Sequence, residues 1–194
     1  ENSGYVTTEW EINPLWNSSN DVPNTIEFRF KTPGLNSALS FPTQSLWKLD
    51  TDVELYLQYT GSGYTSGSYS GSIADVENQY ANLILNVGGT TGSIYLPFFN
   101  GGWWSVAATR DGNDFTLFAG DNIYTGEEGS SIGFTGSATF TVSSTEWING
   151  ATSTFASASS YTKFSGSLQE IRYYDQALSQ SVFNDYVMNH NSIE

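Results

Sequence analysis

The run Phe164-Ser-Gly-Ser-Leu-Gln-Glu-Ile-Arg-Tyr-Tyr174 leaves a chain few ways to fold. It alternates like a single strand. Phe164, Gly166, Leu168, Glu170, Arg172 and Tyr174 fall on one face, and Ser165, Ser167, Gln169, Ile171 and Tyr173 on the other. Asp175 opens a turn. Ser179 has the side-chain oxygen to cap a short helix carrying Val182, Phe183, Tyr186 and Val187 on one side. Phe164, Leu168, Val182, Phe183 and Tyr186 are the expected packing residues, with Glu170 and Arg172 as edge electrostatics.

The same period-two pattern recurs upstream. In Thr25 to Thr32, Ile26, Phe28 and Phe30 face inward, and Glu27, Arg29 and Lys31 outward. Further strands are read at Ser45 to Lys48, Val53 to Tyr59, Ala81 to Val87, Ser93 to Phe99, Trp103 to Arg110, Phe115 to Ala119, Ser131 to Val142 and Lys163 to Tyr174. Asp111-Gly112-Asn113 has the chemistry of a hairpin turn. About ten short strands and one helix predict an all-β fold of two packed antiparallel sheets, a jelly-roll sandwich with one short C-terminal helix. Residues 1–24 read as an irregular lead-in with one strand near Tyr5 to Ile12, and 25–194 as the domain. The chain opens Glu1-Asn-Ser-Gly without Met, so residue 1 is read as a processed terminus or a cut from a longer protein.

The composition excludes several partners. Six Lys and Arg against twenty Asp and Glu give a formal charge of −14. The six cations are scattered, so no basic patch forms for nucleic acid, and anionic membranes are equally poor partners. No apolar run approaches membrane-spanning length, so membrane insertion is not expected. With no Cys, disulfides and thiolate chemistry are out. His190 is the lone histidine and reads as a surface residue near a chain end. Asn17-Ser18-Ser19 fits the glycosylation acceptor pattern.

Two segments carry a family resemblance. The hairpin from Gly102-Trp-Trp-Ser-Val-Ala-Ala-Thr-Arg-Asp-Gly112 through Phe115 to Asp121, and the closing strand and helix from Phe164, resemble laminin-G-like, concanavalin-A-like lectin and glucanase domains. The phrasing of Asn24 to Lys31 and of Ser181 to Asn189 is also similar to modules in virion structural proteins of marine phages and other aquatic viruses. The resemblance implies a jelly roll on a virion surface or in an extracellular setting. Its members bind glycans, proteins or Ca²⁺ through loops that differ between them, so no site residue is carried over.

Candidate chemistry is sparse. Asp50-Thr-Asp52-Val-Glu54 alternates like the acids of a polysaccharide hydrolase, but reads better as a solvated turn entering a strand. Asp50 and Asp52 are weak candidates for Ca²⁺. Glu127 and Glu128 read as a loop tip, Glu146-Trp147 as a strand edge, and Glu170 as structural. Twelve Tyr and six Trp are the stronger signal. Most must fill the core; Trp47 and Trp103 are the expected core members, which would turn the adjacent Trp104 to the other face. Tyr64 and Tyr69 sit in a Ser/Gly/Tyr-rich loop, Thr60 to Ser72, chemically like an antibody loop. Asn100 beside Trp104, and Asp121-Asn122 with Tyr124, offer rings and polar groups suited to sugars.

The reading is a non-catalytic decoration, fibre or attachment module. Its expected partner is a glycan or protein on a cell or virion surface, bound through Tyr64, Tyr69, Asn100, Trp104, Asp121, Asn122 and Tyr124, and the chain is expected to form homo-oligomers or join a larger assembly. The alternatives are a purely structural coat or fibre subunit without ligand, and a polysaccharide hydrolase or lyase of the same fold.

Overall fold

The computed structural model describes residues 6–9, 23–33, 42–49, 52–59, 79–124, 130–143, 147, 152–157 and 161–188. Twelve strands are found there: β1 (Val6–Glu9), β2 (Thr25–Lys31), β3 (Thr43–Leu49), β4 (Val53–Tyr59), β5 (Ala81–Val87), β6 (Thr90–Leu96), β7 (Trp103–Asp111), β8 (Asp114–Tyr124), β9 (Ser130–Thr141), β10 (Thr152–Phe155), β11 (Thr162–Lys163) and β12 (Ser167–Tyr174). One helix, α1 (Gln180–Met188), follows. A seven-stranded sheet runs β1-β10-β3-β4-β5-β6, with β11 parallel to β3; a five-stranded sheet runs β12-β2-β7-β8-β9. All other pairs are antiparallel, the jelly-roll sandwich that the alternation predicts.

The core is the meeting of the two inner faces. Ile26, Phe28 and Phe30 of β2 meet Leu55, Leu57, Leu83, Leu85 and Trp47 of the other sheet. Phe28 stands edge-on to Phe155 at 5.3 Å, and Trp47 to Trp147 at 5.5 Å. Both indoles keep a partner for their N–H, as burial requires: Trp47 donates to Ser153 at 2.8 Å and Trp147 to the Pro23 carbonyl at 2.6 Å. Trp147 is therefore a core residue rather than a strand-edge one.

Several inward and outward assignments change. Trp104, opposite Phe30, is fully buried, while Trp103, opposite Lys31, is on the outer face. Two adjacent Trp in a strand must split between faces, and only the pairing with β2 decides which goes in. Glu27 and Arg29 do point away from the core, yet they are 1% and 6% exposed. Their strand is central, flanked by β12 and β7, so neighbouring side chains close over them.

β12 departs most from its pattern. Leu168 pairs with Phe30 and Gln169 with Arg29, but Arg172 then pairs with Glu27 and Tyr173 with Ile26. Glu170 and Ile171 together stand opposite one β2 residue, a β-bulge, and Glu170 takes φ 57°. One extra residue inverts the faces. Leu168 packs on the core before the bulge; Ile171 and Tyr173 pack there after it, and Arg172 and Tyr174 turn outward. The unbroken alternation expected from the sequence is thus corrected.

α1 lies on the outer face of the five-stranded sheet. Its cap is as expected: the Ser179 Oγ accepts from the Val182 N–H at 3.4 Å. Phe183 stacks on Phe118 at 5.4 Å, and Val187 is buried beside it. Tyr186 stacks on Tyr174 at 5.6 Å. Val182, expected to pack, is exposed instead.

Candidate functional site

Among the described residues the sequence-predicted site is not assembled as expected. Trp104 is core. Asn100 is a brace: its Oδ1 accepts from the Gly102 N–H at 2.8 Å and from the Trp104 indole at 3.1 Å. Asp121 is 8% exposed in β8 and accepts from the Phe134 backbone N–H, holding the register shift between β8 and β9. Burial pushes its carboxyl above the ordinary value, and the Phe134 N–H pulls it back. Asn122 and Tyr124 belong to β8, opposite Ile132 and Ser130, rather than to a loop. The loop expectation failed because β8 runs five residues past Ala119.

Tyr64, Tyr69, Asp50, Asn17, Glu127, Glu128, Glu146 and His190 lie outside the described residues. Asp52 sits in the turn before β4, exposed, with its carbonyl accepting from the Gly88 N–H. Among the described residues no three His, Cys, Asp or Glu cluster as a metal site. No helix there is long and apolar enough to cross a membrane.

Two other constellations do form. The first is ionic, on the outer face of the five-stranded sheet. Arg172 contacts Glu27 and Glu170, each at 3.2 Å, and Arg29 contacts Glu170 at 3.7 Å. The Tyr174 hydroxyl donates to Glu27 at 2.9 Å, and Trp103 covers the Arg29 guanidinium at 5.6 Å. Burial pushes the Glu27 carboxyl up, against the downward pull of Arg172 and Tyr174. Both carboxylates of this cluster are engaged by one guanidinium, so it reads as a fastening of β12 onto β2. The structural role expected for Glu170 fits this geometry.

The second lies on the outer face of the seven-stranded sheet. Antiparallel register puts Gln58, Asn82 and Tyr95 in one row across β4, β5 and β6, with Tyr56, Ile84 and Ser93 in the next. Tyr80 packs against Tyr95 at 5.2 Å with the rings 36° apart. Tyr161 covers Tyr56 at 4.5 Å. Burial pushes the Tyr56 hydroxyl up, with its hydrogen bond to Tyr161 acting the same way. Tyr80, Tyr95, Gln58 and Asn82 are half-buried. They place flat rings beside amide groups, the inventory a sugar requires.

The sequence reading missed Gln58, Asn82, Tyr80 and Tyr95. Gln58, Asn82 and Tyr95 are outward positions of well-marked strands, which was the available signal, and Tyr80 directly precedes β5. Their adjacency depends on the β4–β5–β6 register, which no local pattern carries.

No protein-family model and no curated protein sequence matches the chain. Solved structures do. The LG1-3 region of the laminin α2 chain superposes with a TM-score of 0.51 at 11% identity, over 91% of this chain and 31% of that one. The enzymatically active domain of bacteriophage CBA120 tailspike protein 2 gives 0.46 at 15% identity, over 88% and 24%. Domains LG4-5 of the mouse laminin α1 chain give 0.43 at 13% identity, over 92% and 44%. This chain spans less than half the length of each. The fold is a laminin-G-like jelly roll.

Proposed function

We propose that this chain is a non-catalytic attachment or decoration module of a virion or extracellular appendage, and that it binds carbohydrate on the outer face of its seven-stranded sheet. The observation that carries this reading is the row Gln58–Asn82–Tyr95 with Tyr80 against its end. Rings supply an apolar platform for a sugar face, and the amides supply donors and acceptors for its hydroxyls. The row sits on strands, so its spacing is fixed before any ligand arrives. The non-catalytic part is supported by how the acids of the ionic cluster are held: Glu27 is 1% exposed, and Arg172 engages both Glu27 and Glu170, so this pair is not free to face a sugar.

A glycan array read with and without Ca²⁺ tests the proposal. Binding that is lost in Tyr95→Ala and in Asn82→Ala, with thermal unfolding preserved, supports it. Binding unaffected by both substitutions rejects this face. Release of reducing sugar from a bound polysaccharide would instead establish the hydrolase alternative.

A further inference from the structure

β9 is an edge strand with a symmetric sequence. Among the described residues it pairs only with β8, and no described strand covers its other edge. Natural edges are blunted by Lys, Pro, bulges or shortness; β9 is twelve residues long, without charge or proline, and its bulge, Gly133 and Phe134 opposite Asp121, lies near its start and leaves Thr135 to Thr141 regular. Gly133, Phe134, Thr135, Ser137, Thr139 and Thr141 are all exposed along it, Phe134 to 38%.

The sequence reads nearly alike in both directions from Ser137. Gly136 mirrors Ala138, Thr135 mirrors Thr139, Phe134 mirrors Phe140, Ile132 mirrors Val142, and Ser130 and Ser131 mirror Ser144 and Ser143. Two antiparallel strands related by a two-fold axis at Ser137 would set each residue opposite its mirror. Phe would then face Phe and Thr would face Thr, the cross-strand pairs that stabilise antiparallel sheets. From Thr135 to Thr139 mirror positions share a face, so the inner pair Gly136 and Ala138 and the outer row Thr135, Ser137 and Thr139 would each continue across the join.

We infer that β9 pairs with β9 of a second copy about Ser137, joining two five-stranded sheets into one. Charge favours this occupant. Copies carrying −14 repel over most of their surface, and the edge of β9 is a place where they can approach without opposing carboxylates. A two-fold contact also requires a self-complementary patch, which a mirrored strand supplies. Because each copy carries −14, added salt should tighten the association by screening their repulsion.

The test uses sedimentation velocity and introduced thiols, in a chain with no Cys of its own. The unmodified chain is expected to shift from monomer to dimer with concentration, at lower concentrations in high salt. Ser137→Glu places two carboxylates on the axis and should weaken the dimer by on the order of tenfold, with the circular dichroism unchanged. Ser137→Cys should form an intermolecular disulfide on mild oxidation, because facing Cα atoms are about 4.5–5.5 Å apart. Thr135→Cys alone should not, since its copies would lie about 13 Å apart along the strand; mixed with Thr139→Cys it should. A chain that stays monomeric, a dimer indifferent to Ser137→Glu, or equal linking by Ser137→Cys and Thr135→Cys overturns the inference. The surface is distinct from the tyrosine row, so either proposal can fail alone.

Discussion

The five-stranded sheet ends in β12 on one side and β9 on the other, and the two edges are finished in opposite ways. β12 has eight residues, a bulge, a left-handed Glu170, and charged side chains clamped to the strand beside it. β9 has twelve residues, no charged side chain and no left-handed residue, and its bulge at Gly133 and Phe134 leaves Thr135 to Thr141 regular. A left-handed non-glycine residue costs roughly 1–2 kcal/mol, and buried charges cost desolvation. The fold accepts both at β12, where the bulge and ion pairs make a poor template for a further strand. At β9 it accepts neither, and the edge stays suited to pairing. Protection is thus concentrated on β12 and sparser along Thr135 to Thr141 of β9.

Removing Arg172 should expose the contrast most strongly. Arg172→Met leaves Glu27, only 1% exposed, without its cation. Denaturant unfolding should show a loss of about 3–5 kcal/mol. Adding Glu27→Gln to it should restore a large part. A loss near zero in the single variant would mean the clamp does not secure β12.

Glu170 offers a cleaner, smaller comparison. Glu170→Gly and Glu170→Ala lose the same ion pairs, so their difference isolates the backbone. At φ 57° the glycine variant should be the more stable by about 1 kcal/mol. Equal stabilities would show that the bulge relaxes freely.

The clamp also sets a pH dependence. Its facing charges are Arg172, Arg29 and Glu170, with the Tyr174 hydroxyl alongside. Glu27 is raised by burial above its ordinary 4.5, so the folded chain holds that proton to higher pH than the unfolded chain. This group's contribution therefore falls as pH rises from 4.5 through the raised value, is recovered on acidification, and is flat below 4.5. Glu27→Gln should remove that slope from a plot of unfolding free energy against pH, while a substitution on β9 should leave it in place.

The smallest expected effect is on β9 itself. Ser137 is exposed, so Ser137→Glu should change the monomer's stability by less than about 0.5 kcal/mol, measured at concentrations too low for association. A larger loss would mean that the edge already supports the monomer.

Much of the fold was legible because burial imprints a period of two. Ile26, Phe28 and Phe30 declared their face, and Ser179 declared its helix. The site was far less legible. Asn100, Trp104 and Asp121 looked like ligand groups because polar and aromatic residues near turns serve binding and bracing alike. What separates the roles is the partner: Asn100 finds the Trp104 indole, and Asp121 finds the Phe134 N–H.

The residues alone determined that this chain forms many two-faced strands, packs them as two layers and closes with a capped helix. They also wrote the mirror about Ser137. Tertiary structure decided that Trp104 rather than Trp103 goes inside, that β12 changes faces at Glu170, and that Gln58, Asn82 and Tyr95 share a row. The physical reason is range. Alternation and capping are set within a few residues, whereas register and bulges are settled between strands far apart in the chain, by which side chains fit across the gap.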